Sequence, residues 1–431
     1  MFSVRNAQGT RLVVREAMVA TILTHEFDNG MVLIGQPMGG VQSAAFTILV
    51  SAGCCHDAQN RDGLAALTCE MMLRGSGARD ARAFITDLDN LGVERGESVG
   101  VSQASYSGGT LSDNLPTALT IFADLIRNPH LPKAQLDAGR AVCLQELRSV
   151  EDEPSGKLML ELRRRHYPDP WGRSSHGDAA AIEQMTISEV AAFHRQRYRP
   201  DGAILAVAGK FDWPAICDSV EKLFGDWQAE KIQTTLAVGP PATGTHIDFQ
   251  SNQCHIGIAY PTIPYRHPDY FEAWAAVGVL SSGMSSRLFN EVREKRGLCY
   301  TVSAALHTQR ERASVLCYAG TTAERAQETF DVTLAELHRL GDGIEQAELV
   351  RLKARIKSAL IMQQESTTAR SGSIARDWYH LGRVRSLDEI GKIVDTLSAD
   401  SINAFLSANR PGDFTFLTLG PKPLEVPVGI S

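Results

Sequence analysis

The most informative segment of this chain is Gly63-Leu64-Ala65-Ala66-Leu67-Thr68-Cys69-Glu70-Met71-Met72-Leu73-Arg74-Gly75-Ser76. Its composition predicts a helix over 63–74. Ala66 and Glu70 are four residues apart and share one face of that helix, with Cys69 one residue around from them. Glu70 could give a metal one oxygen ligand, whereas Ala66 offers none.

The segment resembles the zinc-binding helix of the pitrilysin/insulinase metallopeptidases, peptidase family M16, which reads roughly Gly-Leu-Ala-His-x-x-Glu-His-Met-Leu-x-x-Gly-Thr. In that comparison Ala66 replaces the first histidine ligand, Cys69 the general-base glutamate and Glu70 the second histidine. Zinc hydrolases use three protein ligands and keep a fourth position for a water, whose pKa the metal lowers. The resemblance therefore implies the peptidase fold without its catalytic zinc.

The third ligand of the family is a glutamate on a later helix, and Glu146 matches its position. Two carboxylates alone would suit weakly held magnesium or calcium better than zinc. We expect Glu70 and Glu146 to be solvated or hydrogen-bonded carboxylates in a vestigial cleft, with no cofactor bound by this chain. A weak metal site and an unforeseen catalytic use of Cys69 remain alternatives.

The second half of the chain contains Arg293-Glu294-Lys295-Arg296-Gly297-Leu298-Cys299-Tyr300. In the resembling family an arginine and a tyrosine at this spacing lie at a helix end and a strand start, and reach toward the zinc-bound peptide. By position these are Arg293 and Tyr300. A tyrosine hydroxyl can donate to a developing oxyanion, and an arginine can hold a substrate carbonyl. Alternatively, Arg293 belongs to a solvated helix end and Tyr300 is an ordinary strand residue.

Two-subunit members of the family, the M16B type, divide these parts between chains. One subunit carries the zinc motif, and the other lacks it but supplies the arginine and tyrosine. This chain resembles the second kind, which implies a non-catalytic, substrate-binding subunit, inactive alone. Its partner would be an M16 subunit with an intact His-x-x-Glu-His motif and the zinc, or else a second copy of this chain. Unfolded peptide would add a strand to a sheet edge near Val93–Val99.

Two other functions remain open at this stage. The first is a structural or peptide-binding pseudopeptidase with no role in catalysis. The second is an active enzyme with altered metal chemistry.

Composition describes a soluble protein of two domains, with 431 residues, 43% hydrophobic and 22% charged. The net charge of -7 gives no reason to expect nucleic acid or an anionic membrane as partner. No apolar run approaches the ~20 residues of a membrane span. The eight cysteines form no Cys-x-x-Cys pair, which favours reduced thiols in a bacterial-type cytoplasm. The arginines near the N-terminus leave a mitochondrial presequence as the alternative.

The two halves of the chain contain similar sequence patterns. Ser105-Tyr106-Ser107-Gly108-Gly109-Thr110 resembles Cys317-Tyr318-Ala319-Gly320-Thr321-Thr322 and pairs Tyr106 with Tyr318, and an amphipathic helix follows each. We predict an α+β fold of two duplicated domains, each a mostly antiparallel sheet with helices packed on it, as in the M16/LuxS-like metallohydrolase fold. The predicted domains are residues 1–230 and 248–431, joined by a linker at 231–247. Predicted helices span 63–74, 115–128, 133–152, 186–197, 268–281, 286–294, 323–340 and 345–364.

Overall fold

The computed structural model describes residues 2–5, 11–14, 21–228, 236–363 and 365–426. Four of the sequence predictions fall partly outside these ranges. They are the presequence alternative, the last residues of the predicted domain 1–230, the start of the predicted linker 231–247 and the end of the predicted helix 345–364.

The described strands and helices come in groups along the chain. The strands are β1 (Phe2–Arg5), β2 (Arg11–Val14), β3 (Leu23–Glu26), β4 (Val32–Pro37), β5 (Ser43–Val50), β6 (Gly75–Ser76), β7 (Arg79–Asp80), β8 (Glu94–Val99), β9 (Ala104–Leu111), β10 (Ile204–Gly209), β11 (His246–Asp248), β12 (Gln253–Thr262), β13 (Cys299–Thr308), β14 (Ala313–Thr322) and β15 (Thr415–Gly420). The α-helices are α1 (Leu64–Met72), α2 (Ala81–Asn90), α3 (Leu115–Arg127), α4 (Leu136–Glu151), α5 (Pro154–His166), α6 (Ala179–Gln184), α7 (Ile187–Arg197), α8 (Trp213–Phe224), α9 (Tyr270–Ser281), α10 (Ala326–Leu340), α11 (Gln346–Gln363), α12 (Thr367–Leu381), α13 (Leu387–Thr396) and α14 (Ala399–Ala408).

Two large sheets, one from each half of the chain, form the framework. The first has the order β3-β4-β10-β5-β9-β8, and the second has the order β11-β15-β12-β14-β13. In each sheet one neighbouring pair is parallel, β4 with β10 and β11 with β15, and the remaining pairs are antiparallel. With β3 as an extra edge strand, the two orders match strand for strand. The predicted α+β fold of two duplicated, mostly antiparallel sheets is confirmed.

Each sheet is covered on one face by helices of its own half and on the other by one helix from the opposite half. On the first sheet, Phe46 and Phe122 belong to the core formed with the sheet's own helices. Its other face packs on α12, where Ile374 and Ala375 join Ile204 and Ala206 in a separate cluster. Because both faces are covered, the strand β10 is buried along its whole length.

The second sheet mirrors this arrangement with α5. Leu158 and Leu162 of α5 are fully buried against Leu417 and Leu419 of β15. A Cβ atom at Gly257 would lie only 3.1 Å from a methyl group of Leu162, so the glycine lets α5 pack closely on this strand. The two halves therefore exchange one helix each, and their apolar faces cannot be separated without exposure to water.

The structure corrects the predicted alignment of the two halves by one residue. The hydroxyl of Thr110 donates to the carbonyl of Leu91 at 2.7 Å, and that of Thr321 donates to the carbonyl of Leu298 at 2.6 Å. These equivalent bonds, and the equivalent strand ends, pair Tyr106 with Cys317, whereas the sequence pattern predicts Tyr318. The pairing of Tyr106 with Tyr318 is wrong because one residue of slip moves a strand side chain to the opposite face of its sheet.

The described part of the predicted linker, residues 236–247, is hydrogen-bonded to α5 and to the segment that follows it. Gly239 and Asp169 exchange backbone hydrogen bonds of 3.1 Å, and the amide of Ala242 donates to the carbonyl of Arg164 at 2.9 Å. This stretch is thus attached to the helix that crosses to the second sheet. The domain limits themselves stay a prediction.

Histidines contribute to the contact between the halves. His166, at the end of α5, is hydrogen-bonded to Thr415 and Ser314 at 2.9 and 2.7 Å, and His307 of β13 is hydrogen-bonded to the hydroxyl of Tyr167 at 2.8 Å. Burial lowers the pKa of both imidazoles to about 4, and for His307 nearby positive charge adds to the effect. Unfolded histidine takes up a proton near pH 6.5, whereas these two imidazoles do so only near pH 4, so their burial opposes folding as the pH falls below 6.5.

We therefore expect the free energy of unfolding to fall as the pH is lowered from 7.5 to 5. The loss should be on the order of 1 kcal/mol per histidine, after allowance for partial exposure. His166→Asn keeps a hydrogen-bonding group that does not titrate, so its loss should be smaller. Urea denaturation at the two pH values measures this, with the exposed His25→Asn as matched control. Equal losses in wild type and His166→Asn would contradict the assignment.

Candidate functional site

The helix α1 is fixed at its N-terminus by a buried carboxylate. Asp57 accepts hydrogen bonds of 2.8 Å from the amides of Gly63 and Ala65. Burial raises the pKa of Asp57 to about 7, and the two amide bonds oppose that rise. Gly63 has φ +103°, in the left-handed region, and packs closely on Gly177. These contacts set the orientation of α1 without any metal.

The degenerate zinc positions lie together on α1, as predicted from their spacing, but Glu70 is already paired. Arg74, one turn later, donates from Nε to Glu70 Oε1 at 2.9 Å, and its Nη2 also bonds that oxygen. Burial is the largest influence on the Glu70 carboxyl and raises its pKa, which Arg74 opposes and Glu146 reinforces. Ala66, on the same face, contributes no ligand atom.

Glu146 lies exposed on α4, which packs against α1. Its negative charge acts on Glu70, so the two matching carboxylates of the resembling family are neighbours here. Across the described residues, no group of three histidine, cysteine or acidic side chains could hold a metal ion. Ala66 provides no ligand atom, and the carboxylate of Glu70 is neutralised by Arg74. This set of donors therefore does not fit a catalytic zinc.

Cys69 belongs to the hydrophobic core. It is 7% exposed, and its sulfur accepts a hydrogen bond of 3.4 Å from Tyr106, whose hydroxyl is also hydrogen-bonded to that of Tyr198 at 2.7 Å. Burial raises the pKa of the Cys69 thiol to about 12. A thiol in this state is neither a nucleophile nor a general base at neutral pH, which argues against the catalytic alternative for Cys69.

The strand β8 passes beside α1 and lies at one edge of the first sheet, where the sequence predicted an edge over Val93–Val99. Arg95 and Glu97 form an ion pair of 2.6 Å on this strand. Charge on an edge strand is a common protection against unwanted strand pairing. The edge geometry needed for strand addition is present, and peptide binding there stays a prediction.

The predicted pair of the second half lies around a helix-to-strand turn. Arg293 belongs to a π-helix, Phe289–Glu294, in place of the regular helix predicted over 286–294, and its guanidinium is 4.9 Å from the ring centre of Phe289. Tyr300 lies at the start of β13, beside a register shift, and is 79% exposed. The strand β13 is an edge of the second sheet and the structural equivalent of β8.

An arginine fixes the turn between these two residues. Arg325 donates to the carbonyls of Gly297 and Arg296 at 2.6 and 2.9 Å. Gly297 has φ +56°, a left-handed conformation in which glycine is unstrained. Arg293 and Tyr300 therefore extend from a fixed turn into exposed positions.

The structure thus brings the predicted residues together in two groups. Ala66, Cys69, Glu70 and Glu146 lie on α1 and α4 of the first half, whereas the arginine and tyrosine lie at the edge of the second sheet. Among the described residues no hydrogen bond or ion pair joins the groups. Sequence reasoning missed Arg74, although its spacing from Glu70 is that of a helical ion pair.

Two family models match the chain in consecutive segments. The model described as Insulinase (Peptidase family M16) matches residues 38–174, and the model described as Peptidase M16 inactive domain matches residues 184–356. The first segment includes α1 and Glu146, and the second includes Arg293 and Tyr300.

Relatives from several bacteria are similar over almost their whole length. A protein called an uncharacterized zinc protease from Rickettsia felis is 24% identical over 399 residues, covering 92% of this chain and 97% of the relative. A protein of the same description from Mycobacterium bovis is 26% identical, and the match covers 91% of this chain and 91% of the relative. Another from Bacillus subtilis is 24% identical, and the match covers 91% of this chain and 97% of the relative.

Two solved structures share the fold. One is described as a peptidase M16 inactive domain from Pseudomonas fluorescens, with a TM-score of 0.85 and 22% identity, covering 94% of this chain and 99% of that chain. The other is a protease from Helicobacter pylori, also with a TM-score of 0.85, 20% identity and coverage of 94% and 100%.

A histidine pair on α1 should restore metal binding. In the variant Ala66→His/Glu70→His, the two imidazoles lie four residues apart on one face, Arg74 loses its partner, and Glu146 supplies a third ligand. We expect this variant to retain about one zinc per chain after dialysis, measured by elemental analysis.

Two controls accompany this experiment. Ala66→His alone should retain no stoichiometric zinc because Glu70 stays paired with Arg74, and adding Glu146→Gln to the double variant should weaken zinc retention. Stoichiometric zinc in the wild-type chain would contradict our reading of the donor set.

Proposed function

Because this chain belongs to peptidase family M16, as an inactive-type member, we propose that it is the non-catalytic, substrate-binding subunit of a two-chain zinc peptidase. The partner would be an M16 subunit with the intact His-x-x-Glu-His helix, and it would bind the zinc. This chain would supply Arg293 and Tyr300 to the partner's site.

One contrast between the two halves carries this proposal. In the first half, the residues that would hold a metal are absent or neutralised, since Ala66 has no ligand atom and Glu70 is bound by Arg74. In the second half, the arginine and tyrosine remain exposed on a fixed turn. A subunit that completes another chain's site needs residues that contact the substrate but no metal ligands of its own. This contrast between the two halves fits that requirement.

The exposed pair can perform two tasks in peptide hydrolysis. Attack on a peptide carbonyl places negative charge on its oxygen, and a hydrogen bond from the Tyr300 hydroxyl would stabilise that oxyanion. Arg293 would donate to a neighbouring carbonyl of the peptide and hold the bond in position. The folded chain does not use the Tyr300 hydroxyl in any hydrogen bond among the described residues, which leaves it free for this role.

Substrate would bind as an unfolded peptide that adds a strand to β8. Main-chain hydrogen bonds at a sheet edge are independent of sequence, so they suit a subunit that accepts many peptides. We place this activity in the cytoplasm, because all eight cysteines are free thiols, as a reducing compartment favours. None of the described helices is long and apolar enough to cross a membrane.

The lone chain should have neither zinc nor activity. We expect the purified protein to retain no stoichiometric metal and to leave unfolded peptides intact, because its donor set does not fit zinc. Elemental analysis and a peptide-cleavage assay measure both properties. Chelator-sensitive hydrolysis by the lone chain would rule out the proposed division of labour and favour an enzyme of altered metal chemistry.

Together with its partner, the chain should depend on one hydroxyl for turnover. Tyr300→Phe should lower kcat by roughly 10²-fold, the usual effect of removing an oxyanion donor, with a smaller change in KM. The matched control is Tyr318→Phe, which removes a hydroxyl from the neighbouring strand β14, where it is hydrogen-bonded to His255 at 2.8 Å. That variant should keep wild-type kcat.

The comparison of wild type with Tyr300→Phe also distinguishes the proposed function from the second candidate function. If the co-purified complex cleaves peptides at equal rates with wild type and Tyr300→Phe, the tyrosine takes no part in catalysis. The chain would then be a structural or peptide-binding pseudopeptidase. A complex that contains two copies of this chain and no other subunit would exclude the His-x-x-Glu-His partner.

A further inference from the structure

A groove follows the contact between α9 and α11 in the second half of the chain. It consists of two cavities of about 260 and 580 Å³, which share the lining residues Gly278, Ser282, Leu352 and Arg355. We call it the α9–α11 groove. None of the described residues of α1, of β8 or of the π-helix Phe289–Glu294 lines it, so it is separate from both groups of site residues. The larger cavity has a volume within the roughly 300–1,000 Å³ typical of ligand pockets.

The larger cavity is lined mainly by apolar side chains. Leu352 and Ile356 line it and are each 6% exposed, and Trp274 of α9 lines it from the other side. Met362, near the end of α11, also lines it and is 70% exposed. Apolar side chains that stay exposed around a cavity are a common feature of binding surfaces.

The smaller cavity carries positive charge. Arg351 and Arg355 line it, and because they are four residues apart on α11, they share one face of the helix about 6 Å apart along its axis. Arg355 lines both cavities, and a Cβ atom at Gly283 would lie 3.2 Å from its guanidinium carbon. This guanidinium is therefore held against the loop where the two cavities meet. Neither arginine has a hydrogen bond or an ion pair among the described residues.

No unpaired acid of the groove competes for these arginines. Among the described residues that line it, Glu348 is the one acid, and both of its carboxylate oxygens accept hydrogen bonds of 2.7 Å from Arg287. Ser286 lines the smaller cavity, is 6% exposed, and makes no side-chain hydrogen bond among the described residues. A hydroxyl donor beside two unpaired guanidinium groups favours an anionic group between them.

We propose that the α9–α11 groove binds a fatty acid, which is a single apolar chain that ends in a carboxylate. Arg351, Arg355 and Ser286 donate to the carboxylate in the smaller cavity. The apolar chain lies over Leu352 in the larger cavity. From Arg351 to Gln363 the helix α11 rises about 18 Å, which leaves room for an extended chain of medium length.

The division of charge in the groove supports this ligand over another protein chain. Positive charge lies at one end and apolar surface at the other, as in a ligand with a charged head and an apolar tail. A second copy of this chain that docked through the same face would bring a like charge to Arg351 and Arg355, which is unfavourable.

The site uses residues of one chain only. It requires neither zinc nor a partner subunit, so its failure would leave the proposed peptidase role untouched. The bound carboxylate contacts the loop 282–286, which precedes the π-helix that carries Arg293.

Calorimetric titration of the full chain alone tests the proposal. The probes are dodecanoate below its micelle-forming concentration, octanoate, dodecanol, the cationic dodecyltrimethylammonium, and acetate. Dodecanoate should bind roughly tenfold or more tightly than dodecanol and than the cationic analogue, because only a carboxylate forms charge-assisted hydrogen bonds with arginine. Octanoate should bind roughly tenfold or more weakly than dodecanoate, because fewer methylene groups are buried. Acetate should give no measurable binding.

Three variants assign the binding to the groove. Arg351→Gln and Arg355→Gln should each weaken dodecanoate roughly tenfold and leave dodecanol unchanged, because only the carboxylate loses a charge-assisted hydrogen bond. Ala359→Trp fills the larger cavity from an exposed position and should weaken both probes. The matched control is Lys357→Gln, because this cation of the same helix pairs with Asp395 at 2.6 Å and does not line the groove. It should bind like wild type.

Dodecanol binding as tight as that of dodecanoate, or unchanged affinity in both arginine variants, would overturn the proposal. The absence of dodecanoate binding would overturn it as well. In that case, a change of oligomeric state in Ala359→Trp, measured by sedimentation, would identify the groove as a contact between protein chains.

Discussion

Each sheet of this protein has two apolar faces, and the second face of each is covered by a helix from the opposite half. The helix α12 lies on the first sheet through Ile374 and Ala375, and α5 lies on the second through Leu158 and Leu162. Separation of the halves would expose both clusters at once, which is unfavourable in water. This exchange therefore holds the sheet edges β8 and β13 in a fixed relation, and the predicted site residues lie on or beside those edges.

The two edges are structural equivalents that carry different chemistry. Beside β8, the helix α1 carries Glu70, and Arg74, which follows the end of that helix, pairs with it. At β13, Tyr300 and Arg293 extend from a turn held by Arg325. An unpaired, half-buried carboxylate would be costly, and Arg74 supplies the opposite charge from just beyond the end of α1. The two equivalent edges thus carry different side chains.

Local sequence patterns predicted much of the secondary structure, but they could not predict which helices and sheets pack together. The helices predicted over 115–128 and 186–197 match α3 and α7 within a residue, because apolar periodicity and caps are encoded locally. Nothing in the sequence of α5 or α12 shows which sheet each will cover. The wrong pairing of Tyr106 has the same origin, since only the hydrogen bonds of Thr110 and Thr321 reveal the register.

The contacts that hold α1 explain how the fold persists without metal ligands. Asp57 caps the helix, Gly63 allows close packing against Gly177, and Cys69 contacts the buried pair Tyr106 and Tyr198. None of these contacts uses Ala66 or Glu70, so the helix is held without a metal ligand at either position. The exposed Tyr300 is the reverse case, because its hydroxyl makes no described contact that stabilises the fold. Tyr300 is therefore available for the contact with a partner subunit that we propose.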